Sequence, residues 1–189
     1  ELGRYYTGPT NGSDDPSRTS VNLAGDVAVT NRFGGITKFA AREAQCIDTN
    51  GNGAIDTSTG AGDVRPFGED ECMLWHLPLP NGGSNQQGPR PTAWDAGPTN
   101  NPCAPEAFRL WVGYYDIGVP EGHFYRLDGS DGTILDEVTA PGWDPLGTNY
   151  GPYGGAVDGQ GQRVRPSAPT ERRWPMRRSA WRARPSFPA

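Results

Sequence analysis

Short runs in which apolar and polar residues alternate, separated by glycine-containing turns, constrain this fold more than any other sequence feature. Within residues 20–40, alternation passes through Val21 and Leu23, resumes after a turn at 25–26, and returns at 36–39. A period of two places every second side chain on one face of a strand. The runs therefore predict three short antiparallel strands joined by tight turns.

The same pattern recurs further along the chain, which indicates internal repetition. The later runs are 90–95, 108–115, 122–128 and 133–138 in a second copy, and 155–161 at the start of a third. Aligned on Asn22, Asp95 and Asp158, the copies differ in spacing because residues 41–89 and 96–107 are insertions. Each copy is a small antiparallel sheet, and a sheet with one apolar face needs neighbours to cover it. The predicted fold class is all-β.

Composition and charge narrow the choice of partners. Glycine (27) and proline (19) are abundant, but 6 Trp, 7 Tyr and 6 Phe are more aromatic residues than a disordered chain carries. Residues 1–161 have a net charge of −12, which disfavours nucleic acid and favours divalent cations. No apolar run reaches the length of a membrane span, and the only helical pattern is a single turn at 40–45.

Residues 162–189 differ from the preceding sequence. They have a net charge of +7 and contain no Gly, Asn or Asp. One interpretation is a disordered basic tail. The other, which we favour, is sequence read out of frame, since GC-rich DNA read in this way yields Arg, Pro, Ala, Ser and Trp. The predicted organisation is a β-rich part at 1–161, followed by a tail to which we assign no function.

The segment that follows Cys46 carries the strongest local signal for a binding site. Oxygen-bearing side chains stand at positions 1, 3, 5 and 9 of a loop, on Asp48, Asn50, Asn52 and Asp56. Gly53 stands at position 6, where a sharp turn is needed, and Ala54 at position 7 supplies a backbone carbonyl. Because Ca²⁺ binds six to eight oxygens, this spacing predicts a calcium site like the first three-quarters of an EF-hand loop.

The loop departs from an EF-hand at its twelfth position, where Thr59 replaces a bidentate glutamate, and no helices are predicted beside it. We expect the missing carboxylate to come from Asp63, Asp70 or Glu71. We also expect modest affinity, because two of the four side-chain ligands are uncharged asparagines. The alternative is that the run Asp-Thr-Asn-Gly-Asn-Gly only forms turns.

Three cysteines occur, at Cys46, Cys72 and Cys103. We expect a Cys46–Cys72 disulfide because this pair brackets the acidic loop, and closing such a loop contributes roughly 3–3.5 kcal/mol of stability. Cys103 is then left without a partner within the chain. A structural disulfide predicts a secreted protein. A zinc site is disfavoured, because there is no CxxC motif.

Sequence signals for catalysis are weak. The chain contains no serine-hydrolase elbow, zinc-protease motif, P-loop or dinucleotide-binding motif. We expect His76 to be structural and His123 to be exposed near the start of a strand. The acidic clusters at 14–15 and 69–71 are expected to be solvated turns or cation ligands.

Aromatic side chains admit two interpretations, a sheet core or a carbohydrate-stacking surface, and we favour the core. The residues concerned are Trp75, Trp94, Trp111, Tyr114, Tyr115 and Trp143. A separate expectation concerns residues 18–20 and 31–32, which we predict to face a shared cavity at the strand ends.

Residues 15–32, with the sequence DPSRTSVNLAGDVAVTNR, resemble a blade of streptogramin lyase-like β-propellers. In that family the pattern small-Val-Asp/Asn-x-x-Gly-x-Val-Trp-Val-Thr-Asn recurs from blade to blade. Ala28 replaces the Trp here, whereas Trp111 keeps it in the second copy. The resemblance covers about residues 15–40 and 90–161. It implies antiparallel β-propeller-like blades in an incomplete propeller of two to three blades, with a long disulfide-clamped loop insertion.

The family's lyases use a histidine and acidic residues around a magnesium ion, and neither His76 nor His123 matches that arrangement. We therefore expect a secreted, non-catalytic propeller fragment with a structural calcium loop, belonging to a surface or recognition protein. Its candidate partners are carbohydrate or another protein. One alternative is a propeller lyase or hydrolase whose active residues lie outside this chain. Another is a carbohydrate-binding module.

Overall fold

The computed structural model describes residues 3–80, 87–95, 108–116, 118, 121–143, 151–157 and 163–164. These residues form two four-stranded antiparallel sheets and one two-stranded pair. The only helical element among them is a 3₁₀ turn at Glu43–Gln45, within the single turn predicted at 40–45. The prediction of an all-β fold built from antiparallel sheets is confirmed.

The first sheet is a meander in which each strand pairs with the next along the chain. Its strands are β1 (Pro16–Val21), β2 (Val27–Asn31), β3 (Gly35–Phe39) and β4 (Met73–Leu77). The predicted runs correspond to β1, β2 and β3. Strand β4 was not predicted, and it lies inside the range 41–89 that the sequence assigned to an insertion.

The first predicted strand is displaced, because the predicted run begins at residue 20 whereas strand β1 begins at Pro16. Strand β1 ends at Val21, and Leu23 lies in the following turn with 73% of its surface exposed. Asn22 closes this turn, because its backbone N–H donates to the Asp26 carbonyl at 3.0 Å and its side chain accepts from the Asp26 N–H at 2.9 Å. The apparent alternation at Leu23 is therefore not part of a strand.

The second sheet repeats the same order of strands. Its members are β5 (Thr92–Asp95), β6 (Arg109–Asp116), β7 (Glu121–Asp128) and β8 (Ile134–Pro141). Short strand β9 (Ala156–Val157) lies within the predicted third copy and pairs with β10 (Arg163–Val164), which lies within the predicted tail. Apart from β10, the predicted tail at 162–189 lies outside the described residues, as do the predicted insertion at 96–107 and Cys103.

The two large sheets share one apolar core. Its fully or nearly fully buried members are Ala28, Ile36 and Trp75 from the first sheet, Leu79 just after it, and Leu110, Val112 and Leu127 from the second. The turn after β7 supports this contact, because the Gly129 carbonyl accepts from Trp75 Nε1 at 3.1 Å and from Lys38 Nζ at 2.9 Å. Gly132 lies against the Trp75 ring, where an added Cβ would come within 2.9 Å.

The first strands of the successive sheets lie beside one another. Strand β1 contacts β5, and β5 contacts β9. Trp94 on β5 fixes the first of these contacts, because its Nε1 donates to the Ser20 carbonyl at 3.0 Å and its backbone N–H donates to Ser20 Oγ at 3.3 Å. Strands that start each repeat are therefore neighbours in space.

Candidate metal centre

The excursion between β3 and β4 is closed at its base by the predicted disulfide. Cys46 and Cys72 are bonded, and their Cα atoms lie 4.3 Å apart. Backbone hydrogen bonds continue the closure on both sides, from Ala40 N–H to the Cys72 carbonyl and from Ile47 N–H to the Glu71 carbonyl, each at 2.9 Å. The excursion thus leaves and re-enters the sheet at one place.

Asp48 organises the turn at the start of the candidate loop. Its Oδ1 accepts from the backbone N–H groups of Gly51 at 2.6 Å and Asn52 at 3.2 Å, and its Oδ2 accepts from Gly53 at 2.9 Å. Gly51 and Gly53 have φ values of 72° and 83°, in the left-handed region that favours glycine. The glycines of the run Asn-Gly-Asn-Gly therefore allow the backbone to curl around this carboxylate.

Two amide side chains of the loop converge on one carboxylate oxygen. The amide Nδ2 atoms of Asn50 and Asn52 both donate to Asp56 Oδ2 at 2.8 Å. The amide oxygens accept backbone N–H groups, from Asn52 at 2.9 Å and Ala54 at 2.8 Å. The other oxygen of Asp56 lies 3.4 Å from Arg65 Nη2. Two amide dipoles and one arginine thus compensate the charge of Asp56.

Glu71 lies beneath the loop with only 2% of its surface exposed. Its Oε2 accepts from Asp56 N–H at 2.7 Å, and its Oε1 accepts from the N–H groups of Thr49 at 2.8 Å and Asn50 at 3.2 Å. These bonds, with that to Asp56 the largest contribution, hold the pKa of Glu71 below its usual value. The carboxylate is ionised at neutral pH and anchors the loop backbone.

The other two carboxylates considered for the twelfth ligand also bind protein donors. Asp63 Oδ2 accepts from the N–H of Thr59 at 3.0 Å and from its hydroxyl at 2.9 Å, and these bonds lower the pKa of Asp63. Asp70 accepts from Ser58 N–H and Cys72 N–H, each at 3.0 Å. Both carboxylates brace the part of the excursion that returns to β4.

The structure therefore brings together Asp48, Asn50, Asn52 and Asp56 and gives Asp63 and Glu71 supporting contacts. As the side chains lie, the two amides direct N–H groups and not oxygens toward Asp56, so the predicted set of four side-chain oxygens and the Ala54 carbonyl stays a prediction. Within the described parts of the chain, no group of three or more His, Cys, Asp or Glu residues is positioned for a metal. A cation here would rely on amide and backbone oxygens, which suit a hard ion such as Ca²⁺.

The two histidines lie within the sheets. His76 on β4 is hydrogen-bonded through Nδ1 to Thr37 Oγ1 at 2.9 Å and packs edge-on against Phe67, in agreement with a structural role. His123 was expected to be exposed, but only 12% of its side chain is. Its ring stacks on Tyr114 with centroids 4.8 Å apart, which covers one face.

The aromatic and acidic side chains are more buried than a solvent-facing role would require. Trp75, Tyr114 and Tyr115 are at most 8% exposed, which agrees with the interpretation as sheet core. Of the two expectations for the acidic clusters, that of solvated turns is wrong for Asp14, Asp70 and Glu71, which are at most 8% exposed, and that of cation ligands stays a prediction. Asp14 is 2% exposed. Its carboxylate accepts from the Thr10 hydroxyl at 2.7 Å and thereby fixes the segment before β1.

The shared cavity predicted for residues 18–20 and 31–32 stays a prediction. Asn31 donates to the Thr7 carbonyl at 2.6 Å, whereas the charges of Arg18 and Arg32 both act on Arg90. Nothing in the sequence pattern indicated Arg90 as their neighbour. These three residues come from separate segments, so only the folded chain brings them together.

No helix in the described ranges has the length and apolar character needed to cross a membrane. Known proteins give no further guide: no family model matches the chain, and neither the curated proteins nor the solved structures contain a match.

Proposed function

We propose that residues 1–161 form part of a secreted, streptogramin lyase-like β-propeller, and that the loop at 48–56 binds calcium as a structural element of a non-catalytic surface or recognition protein. The disulfide supports the secreted location, because structural disulfides persist in oxidising compartments. The two parts of the proposal rest on different observations and are tested separately.

The propeller proposal is supported by the repeated meander and the position of its first strands. Propellers repeat four-stranded antiparallel blades around a central channel. Here both large sheets have that order, and β1, β5 and β9 follow one another in space. A ring needs four to eight blades, so we propose that the chain supplies part of one.

The calcium proposal rests on the convergence of Asn50 and Asn52 at Asp56 Oδ2. Two amide N–H donors occupy the place where a cation would compensate this oxygen. Rotation of each amide about its χ2 bond turns the oxygen toward the same point, and amide O and N atoms are close in size and shape. The same rotation breaks the bonds that the two amide oxygens accept from the Asn52 and Ala54 N–H groups, so calcium binding would exchange four hydrogen bonds for oxygen ligands and shift the backbone of the turn.

Titration calorimetry with CaCl₂ tests this proposal. We expect Asp48→Asn and Asp56→Asn each to weaken binding roughly tenfold or more, since affinity in such loops follows the number of charged ligands. Asp131→Asn is a matched control, because Asp131 is an exposed turn aspartate whose Oδ1 accepts from Thr133 N–H at 2.8 Å. Asp63→Asn distinguishes two roles of Asp63: a weaker affinity for calcium would indicate a ligand, and an unchanged affinity would indicate a structural support. Absence of binding at millimolar calcium would refute the proposal.

A gain of affinity provides an independent test. Replacing Asn50 by aspartate adds a charge to the ligand set, and a divalent cation about 4 Å from a unit charge gains about 2 kcal/mol in water. That energy corresponds to roughly thirtyfold tighter binding. If the run only forms turns, the substitution would not increase the affinity for calcium, because the added carboxylate would not lie next to a bound cation.

The non-catalytic role is supported by the contacts of the two histidines. His76 is hydrogen-bonded to Thr37, and the ring of His123 is stacked on Tyr114 within the sheet. Both rings are thus engaged in contacts with neighbouring side chains of the sheets. Turnover of a cyclic ester antibiotic by this chain would refute the non-catalytic proposal and favour a lyase.

A further inference from the structure

Strand β8 forms the outer edge of the second sheet. It pairs with β7 from Ile134 to Pro141, and no strand of the described ranges pairs with its other side. Five of its eight residues are exposed and none is buried. Strand β4, which takes the same place in the first sheet, is five residues long and has no exposed residue. The longer of these two edges is therefore also the more open one.

This exposed edge carries groups that an extended chain can bind. An edge strand presents backbone N–H and C=O groups to which a further strand can be added. Ile134 and Leu135, at the start of β8, are 46% and 41% exposed. These neighbouring apolar side chains would lose contact with water if another strand lay beside them. Both the backbone and the side chains of β8 thus favour an added strand.

The charge of this edge selects the kind of chain that it binds. Residues 121–141, which contain β7 and β8, carry five acidic residues and one arginine, a net charge of −4 with histidine counted as neutral. On β8 itself, the side chains of Asp136 and Glu137 are 44% and 50% exposed. Their basic neighbours are Arg126, which pairs with Asp136, and His123, whose Nδ1 lies 3.5 Å from Glu137 Oε1. The edge therefore attracts a cationic chain and repels a second copy of itself, because like charges on paired strands are destabilising.

We propose that β8 is a docking edge for an extended, basic segment of another protein. The segment adds a fifth strand to the second sheet, and its main-chain hydrogen bonds to β8 supply affinity. Its arginine or lysine side chains lie beside Glu137, and its apolar side chains cover Ile134 and Leu135. Opposite charges on neighbouring strands stabilise the pairing, which gives the edge its preference for basic sequences.

The docking edge gives the proposed recognition role a class of partner, and to that extent rests on it. It does not require the calcium loop, which lies in the excursion between β3 and β4 of the other sheet. Peptide binding is measured in calcium-free buffer, so a failure here is distinguishable from a failure of calcium binding or of the non-catalytic role.

Fluorescence anisotropy of a labelled peptide, titrated with the full chain in buffer of low ionic strength, tests the proposal. The probe is an eight-residue peptide in which arginine and valine alternate, matched to the length of β8. The control is the same peptide with N-methyl groups on its two central residues, which keeps the charge and removes one N–H from each edge. We expect the probe to bind roughly tenfold more tightly than the control. Equal binding would reduce the effect to charge attraction alone and overturn the proposal, as would absence of binding at millimolar peptide.

Glu137→Lys reverses the charge next to the docked segment. We expect the affinity for the arginine peptide to fall roughly threefold to thirtyfold, because an attractive cross-strand pair becomes a repulsive one. The same variant should gain affinity for a peptide that carries glutamate in place of arginine. Glu43→Lys is the matched control, because Glu43 is an exposed glutamate in the 3₁₀ turn of the excursion. Equal weakening in both variants, or no change in a folded Glu137→Lys protein, would contradict the proposal.

Amide hydrogen exchange locates the bound peptide. Backbone amides of β8 that do not bond to β7 should become protected when the arginine peptide binds, whereas those of β4 should not change. Protection elsewhere without protection of β8 would overturn the assignment. If the β8 amides are already fully protected in the peptide-free chain, another part of this chain covers the edge, or a second copy covers it where sedimentation shows a dimer. Either result would also overturn the proposal.

Discussion

Replacement of Lys38 by methionine is expected to cost about 3 kcal/mol of folding free energy. Lys38 is the only lysine of the chain and is 6% exposed. Its Nζ lies 3.0 Å from Asp26 Oδ2 and donates to the Gly129 carbonyl at 2.9 Å. It also lies 5.7 Å from the centroid of the Trp94 ring. One ammonium group thus joins a turn of the first sheet to the second sheet.

The expected loss of folding free energy depends on which contacts of Asp26 and Gly129 remain after the substitution. Methionine keeps most of the aliphatic stem, and the Gly129 carbonyl still accepts from Trp75 Nε1. The Asp26 carboxylate, however, remains buried with only neutral donors, from Asn22 Nδ2 and Ala41 N–H, each at 3.2 Å. Removing one partner of a buried ion pair costs about 3–5 kcal/mol. We take the lower end because these two donors remain.

The pH dependence should change together with the stability. Burial raises the pKa of Asp26, but the hydrogen bonds and charge of Lys38 and its neighbours outweigh this and leave the pKa below its usual value. In the native chain the carboxylate therefore contributes stability above a pH of about 4, and this contribution is lost as pH falls through the folded pKa. Without Lys38, burial is the largest influence and favours the protonated carboxyl, so the sign reverses: we expect the stability of the variant to increase, relative to its value at neutral pH, as Asp26 takes up a proton.

Urea denaturation followed by tryptophan fluorescence measures the effect as a shift of the midpoint at constant slope. Arg126→Met is the control, because its pair with Asp136 is more exposed, at 28% and 44%, and such pairs contribute about 0–1 kcal/mol. The double variant Lys38→Met with Asp26→Asn should recover much of the loss, since no unpaired charge stays buried. If Lys38→Met cost no more than Arg126→Met, the argument from a buried pair would be refuted.

Three further predictions concern packing, protonation and cross-linking. Gly88→Ala should destabilise the chain by about 1–3 kcal/mol through overpacking against the Arg32 carbonyl, whereas Gly62→Ala, with open space around it, should be neutral in the same urea assay. Burial lowers the pKa of His76 from 6.5, so stability should decrease as pH falls below about 6.5, and His76→Gln should flatten that part of the profile. An unchanged profile would show that His76 does not titrate with unfolding. Reduction of the disulfide should lower the free energy of unfolding by roughly 3 kcal/mol, and an unchanged melting temperature in reducing agent would contradict this.

Most strands could be predicted from the sequence, because apolar and polar residues alternate along a strand when one face of its sheet packs on the core. The runs at 108–115 and 122–128 match β6 and β7 to within one residue. Strand β1 was harder to place, because it packs beside β5 and carries polar side chains such as Thr19. Strand β4 was missed because Met73–Leu77 is almost continuously apolar and follows a loop of turn-forming residues.

The sequence predicted only those residues of the candidate site that lie close together in the chain. The candidate ligands from Asp48 to Asp56 stand close together in the sequence, and the structure joins three of them, Asn50, Asn52 and Asp56, by hydrogen bonds. The role of Glu71 depends on closure of the excursion, which places its carboxylate under Thr49, 22 residues earlier in the sequence. The joining of Arg90 to Arg32 likewise depends on the contact between the sheets. Such tertiary contacts leave no periodic signal in the sequence.

The closed base of the excursion separates its interior from the sheet. Because Cys46 and Cys72 lie 4.3 Å apart, the strands on either side are held at one spacing whatever chain runs between them. Apart from Phe67, which packs against His76 on β4, the interior can then vary in length and composition without changing the pairing of β3 with β4. Such an arrangement would act as an exchangeable cassette, in which evolution or an engineer replaces the interior of the excursion while the framework of strands is kept.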